Sequence, residues 1–162
     1  GKQTAQMGKA LGMNVIAWTY NPNIEWSKST GINYVDLDEL LKTSDVVSLH
    51  TRLSPDTEGF IGEKEIKSMK PGAMLINVGR GALIDTSAMV SALHSGQLGG
   101  AGLDVFDIEP LTKDHPILDC ENVVLTPHTA DVVPEGVDVL NSGTVKNVLA
   151  FLEGKPINIV NP

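Results

Sequence analysis

The stretch Lys70-Pro71-Gly72-Ala73-Met74-Leu75-Ile76-Asn77-Val78-Gly79-Arg80-Gly81 decides how the chain is read. Residues Ala73–Val78 form an almost continuous apolar run between two glycine breaks. The run is too short for a helix and lacks the alternation of a half-solvated strand, so it predicts a strand buried on both faces, as in parallel sheets. Similar runs recur at Asn14–Trp18, Asp45–Leu49, Gly100–Val105 and Asn122–Thr126. Helical periodicity fills the spaces between them: residues 2–11, Leu37–Leu41, Glu63–Met69, Thr86–Leu93 with Gly96 to end it, and Pro134–Glu153 closed by Gly154 and Pro156. A polar loop is expected around Asn21-Pro22-Asn23. Strand alternating with helix means parallel strands joined by crossovers, and hence an α/β sheet covered on both faces.

Bulk properties narrow the function. The chain has 162 residues and a formal net charge of -8, which disfavours nucleic acid and anionic membranes as partners. No apolar run approaches the roughly 18 residues of a membrane span. The single cysteine, Cys120, makes no internal disulfide, so a cytoplasmic location is expected. No metal site is assigned. The sequence opens at Gly1 inside an expected helix, which reads as a piece of a longer chain.

In an open parallel sheet, ligands sit beyond the carboxyl ends of the strands. His50, Arg80, Asp104, Glu109 and His128 all lie at or just past such ends. Arginine offers a planar fork that grips a carboxylate through two parallel hydrogen bonds. Histidine carries protons near neutral pH, and a nearby carboxylate orients it and favours its charged form. A 2-hydroxy or 2-keto acid needs that division of labour, with hydride passing to or from a nicotinamide. Arg80 stands between two glycines, which suggests a special backbone bend rather than a surface ion pair.

Several ordered segments carry a family resemblance. They are Gly12-Met13-Asn14-Val15-Ile16-Ala17, Asp45-Val46-Val47-Ser48-Leu49-His50, Met69-Lys70-Pro71-Gly72-Ala73 and Asn77-Val78-Gly79-Arg80-Gly81. Gly102-Leu103-Asp104-Val105-Phe106-Asp107-Ile108-Glu109-Pro110 and Asn122-Val123-Val124-Leu125-Thr126-Pro127-His128 complete the set. In this order the chain resembles the D-isomer-specific 2-hydroxyacid dehydrogenases. The resemblance implies a doubly wound, Rossmann-like fold, NAD or NADP as cofactor, a small 2-hydroxy or 2-keto acid as substrate, and a homodimer. It casts Arg80 as the substrate-carboxylate anchor, His128 as general acid/base and Glu109 as the partner of His128. Gly1, Thr19, His50, Val78, Gly79, Asp104 and Ala130 fall at positions around the cofactor, with Asp104 near the nicotinamide carboxamide. For His50 a purely structural role stands beside that of a backbone-level cofactor neighbour. Residues 1–132 would form a partial dinucleotide-binding domain, and 133–162 a helix and tail packing toward a substrate domain.

Departures from the family pattern matter as well. Gly1 aligns with the third glycine of G-x-G-x-x-G, so the fold is expected to lack its first strand and the rest of its phosphate loop. Thr19 occupies the place of the usual ribose-binding acid, and no arginine follows, so neither NAD nor NADP is selected. Arg52 replaces a frequent proline and reads as a solvated rim residue. Ala130-Asp131 replaces a glycine-rich pair after His128. His94 and His115 read as solvent-exposed. Three alternatives stay open: a nucleotide-sensing, corepressor-like binding protein on this fold; an inert fragment; and a formate dehydrogenase of the same superfamily, against which Glu109 argues because that group carries glutamine there.

Overall fold

The computed structural model describes residues 1–130 and 132–160. In chain order the elements are α1 (Lys2–Ala10), β1 (Ile16–Ala17), α2 (Ile24–Thr30), β2 (Asn33–Tyr34), α3 (Leu37–Thr43), β3 (Val46–Leu49), α4 (Glu63–Ser68) and β4 (Ala73–Asn77). After a 3-10 turn at Gly81–Leu83 come α5 (Thr86–Ser95), β5 (Leu98–Leu103), a second 3-10 turn at Pro116–Asp119, β6 (Val123–Leu125) and α6 (Pro134–Leu152). The chain divides into two compact units, Gly1–Pro127 and a second beginning at His128.

The first unit carries the sheets. Strands β3-β4-β5-β6 pair in parallel and in sequence order, with Val47, Leu75, Ala101 and Val123 in one line across the sheet. Strands β1 and β2 form a separate parallel pair, Ile16 beside Asn33 and Ala17 beside Tyr34. The expected parallel α/β layering is therefore present, divided into two sheets. Trp18, just past β1, stacks on Phe60 with ring centroids 5.2 Å apart. One sheet face packs on α3, α4 and α5 through Val47, Leu49, Leu75, Ile66, Leu93 and Leu98. The expectation of burial on both faces is met on that face only. Val46, Met74 and Val124, which point the other way in their strands, are exposed.

Local chemistry explains the boundaries. Asp85 caps α5 by accepting the Ala88 N–H, and Gly96 ends it at φ +77°. Helix α2, absent from the sequence reading, is capped by Asn23 and stopped by Gly31 at φ +67°. Strand β5 starts two residues earlier than expected because Gly99 and Gly100 are strand glycines, not breakers. A methyl group on Gly99 would lie 2.3 Å from the Gly72 carbonyl oxygen.

The second unit contains α6, which begins with Pro134 in its first turn. Lys155 and Gly154 donate their N–H groups back to Ala150 and Phe151, and Gly154 has φ +70°, a helix-ending arrangement that needs glycine. Its side chains Val139, Leu140, Phe151 and Leu152 are exposed. Among the described residues, no helix is long and apolar enough to cross a membrane.

Candidate active site

The carboxyl ends of β4 and β5 carry the best-defined part of the site. Past β4, the buried side chain of Asn77 turns the chain: its Oδ1 accepts the Gly79 N–H at 3.0 Å, and its Nδ2 donates to the Arg80 carbonyl at 2.8 Å. This pair holds Val78-Gly79-Arg80 as a tight bend and leaves Arg80 exposed, its Nη1 donating to the Gly79 carbonyl at 2.7 Å. Val78 is exposed on the same bend.

Past β5, Asp104 is buried. Its N–H donates to the Asn77 carbonyl at 3.0 Å, and its Oδ1 accepts the Thr126 hydroxyl. The next segment folds back on itself, and Glu109 Oε1 accepts the Phe106 N–H at 2.9 Å. Glu109 is exposed, and its peptide bond to Pro110 is cis.

Gly81 joins the two loops. A methyl group built on it would lie 1.9 Å from the carbonyl carbon of Phe106 and 2.4 Å from the Asp107 nitrogen. Any side chain would part them, so glycine here is a requirement of backbone contact. The Arg80 and Glu109 loops are brought together backbone to backbone.

The remaining sequence-derived positions distribute as follows. Gly1 precedes α1 and sits where a methyl group would be 3.2 Å from Cβ of His50, the residue that follows β3. His50 Nε2 lies 3.0 Å from Ser48 Oγ, and partial burial lowers the imidazole pKa. Thr19 is exposed two residues past β1, and its hydroxyl accepts the Asn21 N–H at 3.4 Å. Arg52 is exposed, as expected of a rim residue. His128 and Ala130 belong to the second unit, where His128 adopts φ +54°, a conformation uncommon outside glycine. Asp131 lies outside the described residues.

One expectation is overturned. His115 is not solvent-exposed: it is 6% accessible, and its Nε2 lies 2.9 Å from Asp107 Oδ1. The driving feature is Pro116, which starts a 3-10 turn that sinks Ile117 into the core and takes His115 with it as the cap. A His-Pro-Ile sequence eight residues after an aspartate was the available signal. His94 is exposed as read, 3.6 Å from Cys120 Sγ.

Residues 1–130 match the model of the D-isomer specific 2-hydroxyacid dehydrogenase NAD binding domain. The chain belongs to this family. It is similar to the glyoxylate reductase of Aeropyrum pernix, 43% identical over 162 residues, 99% of this chain and 48% of that protein. The hydroxypyruvate reductase of Blautia hydrogenotrophica is 41% identical over 163 residues, again 99% of this chain and 50% of the relative. The crystal structure of a D-lactate dehydrogenase from Aquifex aeolicus, complexed with NAD and lactic acid, superposes with a TM-score of 0.89 at 36% identity, covering 96% of this chain and 51% of that one. The chain spans about half the length of the curated relatives it matches. Family membership makes the Rossmann-like reading of the parallel sheet secure.

Proposed function

We propose that the protein is an NAD(P)-dependent oxidoreductase that interconverts small 2-hydroxy and 2-keto acids. The observation that carries the proposal is the backbone contact at Gly81, which sets an exposed guanidinium loop against an exposed carboxylate loop past the carboxyl ends of adjacent parallel strands. Glyoxylate and hydroxypyruvate reductases among the relatives point to the same substrate class.

Arg80 takes the substrate carboxylate in a bidentate grip and so aims C2 at the nicotinamide. His128 gives a proton to the carbonyl oxygen in reduction and removes it from the hydroxyl in oxidation, and Glu109 stabilises the imidazolium. Bound NAD(P) supplies the hydride donor or acceptor. The residues present fit a dinucleotide: Gly1 lets α1 approach His50 closely, Val78 and Thr19 are exposed beside a half-buried Gly79, and Asp104 and Ala130 complete the set assigned to it. With threonine at position 19, no carboxylate there opposes the extra phosphate of NADP. Nucleotide binding is assigned to residues 1–132, and packing against the substrate domain of a cytoplasmic homodimer to 133–162.

The test is NADH and NADPH consumption by the intact protein across glyoxylate, hydroxypyruvate, pyruvate and longer 2-keto acids. Turnover lost in His128→Ala with cofactor binding retained supports the reading. A protein that binds NADH tightly but reduces none of these acids would instead be a nucleotide-sensing binder of the corepressor type.

A further inference from the structure

The segment that presents Glu109 is held by a charged group and a buried imidazole outside the assigned catalytic set. Asp107 Oδ1 lies 2.9 Å from His115 Nε2 and accepts the Ile108 N–H at 3.1 Å. His115 Nδ1 accepts the Ile117 N–H at 3.3 Å. An imidazole that accepts at Nδ1 must carry its proton at Nε2, so the bond to Asp107 runs from ring N–H to carboxylate.

The anchoring of this pair is one-sided. His115 is 6% accessible, sits edge-on to Phe106 with ring centroids 6.4 Å apart, and caps a turn whose next residue, Ile117, is fully buried. Asp107 lies at the surface, and the Gly81 backbone presses on its amide. The chain from Phe106 to Glu109 is thus held at points that include the Gly81 contact, the Asp107–His115 bond, and the closing bond from the Phe106 N–H to Glu109 Oε1. The Asp107–His115 bond ties it to a buried ring.

We propose that His115 and Asp107 are positioning residues for Glu109, the buried imidazole fixing through Asp107 the turn that aims the Glu109 carboxylate. The inference rests on the dehydrogenase reading for its catalytic consequence, but not for its structural part. A site of this kind works only when its supporting groups hold the reacting groups to within about half an ångström.

The experiment uses the full chain with His115→Met, which keeps bulk but not the N–H, His115→Gln, which restores a donor at similar reach, and Asp107→Ala, a surface change that spares the core should the methionine variant fail to fold. Amide exchange at Phe106 and Ile108 is read by NMR, and kcat and KM are measured with the best 2-keto acid. Met and Ala variants should exchange these two amides at least about tenfold faster, lower kcat about tenfold and leave the cofactor KM unchanged, with Gln restoring both. Unchanged exchange in Met and Ala variants overturns the clamp. Faster exchange with wild-type kcat overturns its role in positioning, and failure of Gln to restore either readout overturns the part assigned to the His115 N–H. A wild-type protein that turns over no 2-keto acid would defeat the dehydrogenase reading instead, and exchange alone would then decide the clamp.

Discussion

Asn77 and Arg80 are tied by a side-chain-to-backbone bond of 2.8 Å, with Asn77 Nδ2 donating to the Arg80 carbonyl while Asn77 Oδ1 receives the Gly79 N–H. One buried amide therefore satisfies both polar groups of the bend that displays the guanidinium. Asn77→Ala should leave the Gly79 N–H without its acceptor and the Arg80 carbonyl with the Leu83 N–H as its remaining donor, at a cost of about 1–3 kcal/mol. A lower Tm in calorimetry, with a raised KM for the keto acid, is the expected result. An unchanged Tm would mean that water or another side chain replaces the amide.

Gly81→Ala places a carbon inside the Phe106 peptide group, a backbone clash that no rotamer change relieves. The two loops must separate. Destabilisation of at least about 2 kcal/mol is expected from overpacking of this kind. Activity should fall further than stability accounts for, when compared at a temperature where the variant remains folded by circular dichroism.

Arg80→Lys keeps the charge and loses the planar fork. Because Arg80 is exposed and the bend is held by Asn77, the substitution should leave the unfolding free energy within about 0.5 kcal/mol of the parent. The specificity constant for the keto acid should drop about 10- to 100-fold, with NADH binding by fluorescence unaltered. Equal kinetics in both proteins would remove Arg80 from the substrate anchor.

Partial burial works against ionisation of Asp107, but its bonds with His115 and Thr86 outweigh that, so its pKa lies below the ordinary aspartate value. A depressed folded-state pKa means that the unfolded chain binds the proton more readily, so stability rises with pH across the interval between the two values. The contribution is fully present above the unfolded-state pKa, near 4. It is lost as pH falls through the folded-state value. Thermal melts of the parent and Asp107→Asn between pH 3 and 7 should therefore differ at neutral pH and converge at the acid end. Parallel curves would refute the assignment.

How much of this was legible in the sequence depends on whether the signal was local. Strands β3, β4 and β6 were recognisable because their apolar runs are bounded by turn residues, and α5 because Gly96 marks its end. Helix α2 is not recognisable from periodicity, since its polar sequence, Ile24–Thr30, has little of it, although Asn23 and Gly31 mark both ends. The start of β5 lies two residues before the expected Gly100, because the lack of a side chain on Gly99 answers the Gly72 carbonyl on a neighbouring segment, a contact with no local sequence signal. Similarly, Arg80 and Glu109 were found from strand-end position alone, but their link through Gly81 was not, because nothing near Gly81 in sequence mentions Phe106. His115 failed for the same reason: its partner is Asp107, and its burial is decided by Ile117.

The naked backbone seam at Gly81 bears on how such proteins can be redesigned. A graft that alters the length or bend of residues 78–83 changes the surface against which 104–110 must lie, so the two stretches have to be exchanged together as one cassette.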